Sequence, residues 1–327
     1  MQITALTGGI GGARFLRGLR EHLQARSDEW SGAEITVIGN TADDITLFGL
    51  RVCPDLDTVM YTLGGGIHEE QGWGRADETF GVSAELAAYK VPPDWFTLGD
   101  RDFATHIVRT QMLRAGWSLT DVTAALCDRW QPGMRLLPMS DDPVETHVVV
   151  TGDDGSRQAL HFQEWWVREQ ARRPALEFVF LGAAEARPTA GVLDAIGSAD
   201  VVLLPPSNPV VSIGAILQVA GIGDALRATA APVVGVSPII GGQPVRGMAD
   251  ACLSAIGVET SAAGVAGHYG ARIAGGLLDG WLVADEDTSV AGPPGVVQRS
   301  RPLLMTTPGE AADLAGATLS LALELRG

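Results

Sequence analysis

Two stretches of the chain alternate short apolar runs with amphipathic segments, which is typical of a parallel sheet covered by helices. The first places apolar runs at residues 2–6 and 34–39 around an amphipathic segment. The second extends from Glu177 to the C-terminus. There we expect strands at EFVFLGA, DVVLLP, PVVGVSP, GWLVADE and RPLLMTT, and a last helix over residues 308–325. The pattern predicts an α/β protein with a Rossmann-like, doubly wound three-layer sandwich.

The intervening segment has a different pattern. Its periodicity predicts helices over residues 58–63, 82–89, 103–115 and 119–129. An antiparallel hairpin at a sheet edge is expected to follow, turning at the sequence DDGS. We therefore expect one domain over residues 1–327, with an inserted helical and hairpin subdomain at about 58–175. His147 and His161 should be cross-strand packing partners in the hairpin and not catalysts.

Charge and composition exclude several classes of function. The 39 acidic and 23 basic residues give a net charge of −16, which argues against nucleic acid or an anionic membrane as a partner. Lys90 is the only lysine, so an ordinary P-loop NTPase is excluded and arginine, backbone N–H groups or a metal must hold any phosphate. The three cysteines suggest neither disulfides nor zinc. Without a signal-like N-terminus or a membrane-length apolar run, we expect a cytoplasmic protein.

The sequence TGGIGGARFL places a glycine turn between the first apolar run and the following helix. Glycines let the backbone approach an anion closely, and a helix N-terminus offers free N–H groups. Arg14 replaces the third glycine of a dinucleotide fingerprint, and Asn40 replaces the acid that binds a ribose. A nucleotide diphosphate is therefore favoured over NAD, although the turn could be purely structural. The candidate phosphate-binding residues are Gly8, Gly9, Gly11 and Gly12.

Four carboxylates follow the second predicted strand, in the sequence NTADDITLFGLRVCPDLDT. Carboxylates on neighbouring loops commonly hold Mg²⁺ against a diphosphate. Alternatively, Asp44 could cap a short helix while Asp55 and Asp57 occupy the turn after Pro54. The number of carboxylates beyond one strand end favours a metal site.

Three further loops carry candidate binding residues. In the sequence WFTLGDRD, an aromatic pair stands beside an arginine and two carboxylates, which suits a planar heterocycle bearing hydroxyl groups. Asp102 could also be simply a helix N-cap. The loops PSNP and PIIGGQPVRG are expected at the carboxyl edge of the sheet, where such folds bind ligands. The candidates there are Ser207, Asn208, Gly241, Gly242 and Arg246.

Taken in order, several motifs resemble the 2-phospho-L-lactate transferase family of coenzyme F-420 biosynthesis (the CofD or FbiA family). They are GGIGGARFLRGL, NTADD, CPDLDTVMYTLGG, WGRADETF, LGDRDFATHIVR, LPMSDDPVETHV, HFQEWWV, PSNPVVSIGAIL and VSPIIGGQPVRGMAD. The resemblance covers nearly the whole chain. RVCPDLDTVMYTLGGG and DRWQPG are similar to the actinobacterial branch, the phosphoenolpyruvate transferase type.

This resemblance implies a Mg²⁺-dependent phosphotransferase. A terminal ribityl hydroxyl of the deazaflavin Fo would attack a guanosine diphosphate-linked donor, releasing GMP. Transfer of an enolpyruvyl-phosphate group would give dehydro-coenzyme F-420-0, and transfer of a 2-phospho-L-lactyl group would give F-420-0. Asp44 and Asp57 would be the catalytic residues and metal ligands. Fo would contact Asp57, Phe96, Thr97, Asp100 and Arg101, while the glycine turn and the PSNP and IIGG loops would hold the GMP part.

The resemblance also implies a homodimer that acts on small molecules. An alternative is a non-catalytic nucleotide-sugar-binding regulator of the same superfamily, which would need neither the acidic pair nor a deazaflavin pocket. The GWGRADETF and LGDRD segments favour the transferase. Titration with Fo would separate the two hypotheses.

Overall fold

The computed structural model of the chain describes residues 1–26, 30 and 32–327. Its strands lie where the apolar runs predict them at the N-terminus and, in part, after Glu177. The strands are β1 Gln2–Thr7, β2 Glu34–Gly39, β3 Ile45–Leu47, β4 Leu50–Val52, β5 Arg135–Pro138, β6 Glu145–Thr151, β7 Arg157–His161, β8 Glu177–Leu181, β9 Val201–Leu204, β10 Val233–Val236, β11 Ile239–Ile240, β12 Gln243–Pro244, β13 Gly280–Val283 and β14 Val297–Ser300.

The helices cover both faces of the main sheet and fill most of the segment between β4 and β5. They are α1 Ile10–Ala25, α2 Pro54–Leu63, α3 Gly81–Ala88, α4 Asp100–Arg114, α5 Leu119–Trp130, α6 Val192–Gly197, α7 Ile213–Gln218, α8 Ile222–Ala228, α9 Ala249–Ala255, α10 Ala262–Tyr269 and α11 Pro308–Arg326. In the described part of the chain, no helix is long and apolar enough to span a membrane.

The main sheet has seven parallel strands in the order β14-β13-β10-β9-β1-β2-β5. The chain starts at β1, builds outward through β2 and β5, and returns to build the other half from β9. The order therefore reverses between β1 and β9. In open α/β sheets, a crevice forms outside the carboxyl ends of the strands at such a reversal, and ligands bind there.

Two hydrophobic clusters sandwich this sheet. Successive side chains of β1 point to opposite faces, so Ala5 packs in one cluster and Leu6 in the other. Helices α1, α2, α5 and α11 cover the Ala5 face. Helices α6 to α10 and a second sheet cover the Leu6 face. The predicted doubly wound, three-layer α/β fold is confirmed.

After Glu177, one predicted strand lies in a different sheet from the one expected, and one predicted strand is absent from the described residues. The run EFVFL forms β8, but β8 pairs antiparallel with β6 in a separate three-stranded sheet of order β7-β6-β8. The predicted edge hairpin β6–β7 exists within that second sheet, and His147 lies opposite His161 as expected. The run RPLLMTT is not a strand. The polar segment VQRS forms β14 instead, because an edge strand needs backbone pairing with β13 more than it needs apolar side chains.

Several boundaries in the middle of the chain also differ from the predictions. Helix α2 begins at Pro54, a favoured first helical residue, so Asp55 and Asp57 lie in its first turn and not in a loop. Asp44 precedes the short β3–β4 hairpin and caps no helix. The N-cap of α4 is Gly99, so the N-cap prediction for Asp102 is wrong. The proposed subdomain at about 58–175 stays a prediction.

Candidate active site

A cleft of about 410 Å³ lies at the carboxyl ends of the central strands, where the strand order reverses. Loops after β1, β2, β9 and β10 contribute to its wall. The predicted residues that line it are Gly9, Gly11, Ser207, Asn208 and Arg246, and residues not predicted as ligands include Arg14, Asp43, Asp55, Ser212 and Met248. The topology thus brings three separately predicted loops together at one crevice.

A larger groove of about 920 Å³ lies at the opposite edge of the sheet. Its lining includes Gln2 and Glu34, the first residues of β1 and β2. Functional sites of doubly wound sheets lie at the carboxyl edge. The smaller cleft is therefore the better candidate.

The glycine turn packs so tightly against neighbouring loops that side chains would not fit. A Cβ atom on Gly11 would overlap the carbonyl oxygen of Pro206, and one on Gly9 would lie 2.6 Å from Asp55 Oδ1. Ser207 Oγ accepts a hydrogen bond from the Gly8 N–H at 3.2 Å. The glycines therefore allow the N-terminus of α1 to open directly into the cleft, as anion binding requires.

Asp43 and Asp55 bring two carboxylates to the cleft wall. Asn40, the residue at the end of β2, donates from Nδ2 to Asp55 Oδ2 at 2.9 Å. Burial raises the pKa of Asp55 to about 6, although Asn40 and the Gly9 backbone donate hydrogen bonds to the carboxylate. Burial and the neighbouring Asp55 raise the pKa of Asp43 well above its usual range. Among the described residues, no arginine or histidine forms an ion pair with either carboxylate, although Arg14 and Arg246 line the same cleft.

Asp44 points away from this wall into the protein. It is completely buried, and neither of its carboxylate oxygens has a hydrogen-bond partner among the described residues. Burial raises its pKa to about 7, even though Arg51 Nη2 lies 3.5 Å from Oδ2. The structure therefore separates the adjacent residues Asp43 and Asp44 into different environments.

Asp57 is held by an arginine. Arg109, on α4, donates from Nη1 to Asp57 Oδ2 at 3.1 Å and from Nη2 to Oδ1. Both side chains are buried. Burial alone would lower the pKa of Arg109, but Asp57 more than offsets this and the pKa is raised. Asp57 thus belongs to a neutralised ion pair between α2 and α4, and it does not line the cleft described above.

A short polar chain extends from this ion pair. Arg109 Nη1 lies 3.0 Å from His106 Nδ1. Because arginine can only donate, Nδ1 accepts and the proton of His106 is on Nε2, 3.4 Å from Asp102 Oδ1. Tyr61 donates its hydroxyl to the same Asp102 oxygen at 2.7 Å. Asp102, which the sequence suggested as a cap, therefore joins α4 to α2.

The predicted Fo-binding segment lies at the start of α4 and not on the wall of the cleft. Asp100 accepts hydrogen bonds from the Gly81 and Val82 backbones, so its carboxylate caps α3. Phe96 packs against a small cluster around Leu47, Thr97 is exposed, and Arg101 Nη1 donates to the Ala76 carbonyl. Gly241 and Gly242 form the positive-φ turn between β11 and β12, where the Gly241 N–H donates to Asp287. Binding roles for these residues stay predictions.

The opposite wall of the cleft is aromatic. Phe162 and Trp166 stack with an interplanar angle of 6°, and Trp165 packs beside them. Asn40, Arg14 and Phe162 were not predicted as site residues. A polar residue directly after a buried strand, in an α/β pattern, was the signal that could have identified Asn40.

The fold and cleft define a Rossmann-like protein whose site lies at the strand-order reversal. A profile of the family described as "2-phospho-L-lactate transferase CofD" matches residues 3–293 of the chain. The chain belongs to this family and is a transferase of coenzyme F-420 biosynthesis. The family resemblance predicted from the motifs is confirmed.

Similar curated proteins are each named "Phosphoenolpyruvate transferase". The chain is 66% identical to the Thermobifida fusca protein, covering 100% of this chain and 99% of that one. It is 63% identical to the Streptomyces coelicolor protein, with the same coverage. It is 58% identical to the Mycobacterium avium protein, covering 98% and 99% of the two chains. These matches confirm the predicted actinobacterial branch.

The chain also resembles a solved structure. A member of the UPF0052 family from Bacillus halodurans superposes with a TM-score of 0.61, covering 97% of this chain and 99% of that one. The sequence identity is 18%, so this likeness concerns the fold alone. It agrees with the three-layer architecture described above.

Proposed function

We propose that the protein transfers an enolpyruvyl-phosphate group from a guanosine diphosphate-linked donor to the terminal ribityl hydroxyl of the deazaflavin Fo. GMP is released and dehydro-coenzyme F-420-0 is formed. In this reaction the ribityl oxygen forms a bond to the β-phosphorus of the donor, and the bond between that phosphorus and the oxygen of GMP breaks. The names of the relatives support the enolpyruvyl donor over the lactyl one.

One observation carries this proposal: a glycine turn at a helix N-terminus and a pair of carboxylates line the same cleft. The N-terminus of α1 faces one side, and Asp43 and Asp55 stand on the wall. Two like charges beside a phosphate site would repel a diphosphate unless a cation lay between them. The arrangement therefore suits a reaction in which a metal ion and a diphosphate bind together.

The donor set fits Mg²⁺. Oxygen ligands suit a hard cation, and Asp43 Oδ1 is buried with no hydrogen-bond partner among the residues that the structure describes. No cluster of three or more potential metal-binding side chains occurs within the described residues. That suits an ion held by one or two carboxylates and by substrate phosphates. Asp43 and Asp55 would hold it, in place of Asp44 and Asp57, because Arg109 occupies both oxygens of Asp57. When bound, Mg²⁺ would offset charge on the diphosphate.

Residues of the chain would otherwise act by positioning the two substrates. The backbone N–H of Gly11, at the N-terminus of α1, would orient the diphosphate, and Ser207 and Asn208 would contact the nucleotide part. The aromatic wall offers a stacking face for a planar ring. Holding the hydroxyl and the phosphorus in line is the main requirement of phosphoryl transfer. A carboxylate of the pair is also available to accept the proton of the hydroxyl.

Mass spectrometry of the products tests the proposal. The full chain is incubated with Mg²⁺ and Fo, and the enolpyruvyl and lactyl donors are offered in separate reactions. We expect GMP and the dehydro product from the enolpyruvyl donor, at a rate at least about tenfold above that with the lactyl donor. A reversed preference would overturn the donor assignment. Saturable nucleotide binding without transfer from either donor would overturn the enzymatic proposal and favour a regulator.

Two further properties remain proposals. They are a homodimer, which the family resemblance implies, and a cytoplasmic location. Light scattering of the purified chain would test the first, and a monomer at all accessible concentrations would contradict it.

A further inference from the structure

Two arginines that line the cleft also donate hydrogen bonds to a neighbouring loop. Arg14, on α1, donates from Nη2 to the Glu69 carbonyl at 3.0 Å. Arg246, after β12, donates from Nη2 to the Glu70 carbonyl at 2.9 Å. Both arginines also line the cleft. Guanidinium groups from two distant parts of the chain thus converge on consecutive carbonyls of one loop, here called the tethered loop and comprising residues 64–75.

The two guanidinium groups have only neutral acceptors. Among the residues that the structure describes, neither Arg14 nor Arg246 has a carboxylate within ion-pair distance. Arg17, one turn further along α1, contrasts with them because it forms a two-point ion pair with Glu69, at 2.5 and 3.2 Å. Burial lowers the pKa of Arg14, and the nearby positive charge of Arg246 lowers it further. The Glu69 carboxylate raises this pKa and offsets part of the effect, but it is paired with Arg17 and does not contact Arg14.

The tethered loop is folded within itself, and its two ends are anchored by buried Ile67 and by Arg75 over the Trp130 ring. A bridge pairs Ile67 with Arg75, and the His68 N–H donates to the Gly74 carbonyl at 3.1 Å. Gly72 lies against the Arg246 guanidinium, because a Cβ atom at Gly72 would be 2.8 Å from Arg246 Nη1. Movement of the Arg246 guanidinium would therefore change how the loop packs.

We propose that Arg14 and Arg246 form an oxyanion subsite that binds a phosphate or carboxylate group of the donor. This rests on the proposed function, which supplies an anionic donor. Hydrogen bonds from a guanidinium to an oxyanion are roughly twice as strong as those to a neutral carbonyl. The oxyanion replaces the Glu69 and Glu70 carbonyls as acceptor. Donor binding thereby loosens the tethered loop. Of the three arginines that bond to it, only Arg17 then still holds it.

Amide hydrogen–deuterium exchange of the full chain tests whether the two guanidinium groups leave the loop carbonyls when an oxyanion binds. Peptides covering residues 64–75 are followed by mass spectrometry with no addition, with guanosine diphosphate, and with phosphoenolpyruvate. We expect at least one probe to speed exchange in this loop several-fold. An effect of guanosine diphosphate assigns the subsite to the diphosphate, and an effect of phosphoenolpyruvate alone assigns it to the transferred group. Unchanged or slowed exchange with both probes would overturn the inference.

Matched variants separate the subsite from the loop. Arg14→Gln and Arg246→Gln should each weaken binding of the effective probe by about 10- to 100-fold, since each removes a charge-assisted hydrogen bond. Arg17→Gln is the control, because it frees the Glu69 side chain without changing the cleft. It should speed loop exchange without any probe and leave probe affinity within about twofold. Equal losses of affinity in all three variants would contradict the subsite.

Failure of the arginine subsite can be distinguished from failure of the proposed function. The transfer assay on the unmodified chain decides whether the reaction occurs. The binding and exchange measurements decide whether the two arginines hold an oxyanion. Arg246 is exposed, so Arg246→Gln tests the subsite even if Arg14→Gln impairs folding.

Discussion

Arg109 binds both carboxylate oxygens of Asp57, and this ion pair joins α4 to α2 behind the cleft. The Arg109 side chain is 2% exposed. A bidentate pair of this kind fixes the geometry of both partners. Asp57 is therefore a structural carboxylate in this conformation, and Asp55, two residues earlier, faces the cleft.

Arg109→Met should destabilise the fold by about 3–5 kcal/mol, because it leaves the Asp57 carboxylate buried and unpaired. Urea unfolding followed by circular dichroism would measure the loss. The double variant Asp57→Leu with Arg109→Met is the control, since it removes both charges and should recover most of the stability. A loss below about 1 kcal/mol for Arg109→Met would contradict the structural role of the pair.

Gly11→Ala should destabilise the protein by about 1–3 kcal/mol and weaken nucleotide binding, because the added Cβ would overlap the Pro206 carbonyl. Gly267→Ala, inside α10, is the matched control, since nothing lies within 4 Å of a Cβ there. It should be neutral or stabilising by up to about 1 kcal/mol. Thermal unfolding and calorimetric titration with guanosine diphosphate would compare them. Equal behaviour of the two variants would count against a closely packed phosphate turn.

Asp44→Asn should stabilise the metal-free protein at pH 8 but not at pH 4. Burial raises the pKa of Asp44 in the folded protein to about 7, while the pKa of an exposed carboxyl in the unfolded chain is near the ordinary 3.8. As pH rises through this window the unfolded state loses its proton first, so the wild type loses stability and the variant does not. The difference at pH 8 should be on the order of 1–3 kcal/mol. Urea unfolding in a chelator would measure it, and a pH-independent difference would contradict the burial argument.

Much of the fold could be predicted from local pattern. The strand, glycine turn and helix at the N-terminus follow from an apolar run and a break in periodicity, and β9, β10 and β13 follow from their apolar content. The pairing partner of β8 could not be predicted, because an apolar run suits any strand buried on both faces. β14 was missed for the opposite reason, since its pairing is with the backbone of β13 and its side chains are polar.

The location of the acidic residues near the carboxyl edge of the sheet could be predicted, but the directions in which their side chains point could not. Asp55 and Asp57 lie in the first turn of α2, where two residues are separated by about 200° around the helix axis. They therefore point to opposite sides, one to the cleft and the other to Arg109. Because the helix was predicted to start at residue 58, this separation could not be predicted from the pattern. The partner of Asp57 lies 52 residues away, beyond any local pattern.

The most direct test of the site compares Asp55→Asn with Asp57→Asn. For each variant, GMP release from the donor in the presence of Fo and Mg²⁺ is measured together with the free energy of unfolding. Asp55→Asn should reduce transfer by about 10²-fold or more, by removing a cation ligand, while the protein stays as stable as the wild type. Asp57→Asn should mainly lower stability. Near-normal transfer by Asp55→Asn, together with a stable but inactive Asp57→Asn, would contradict the assignment of the cleft carboxylates.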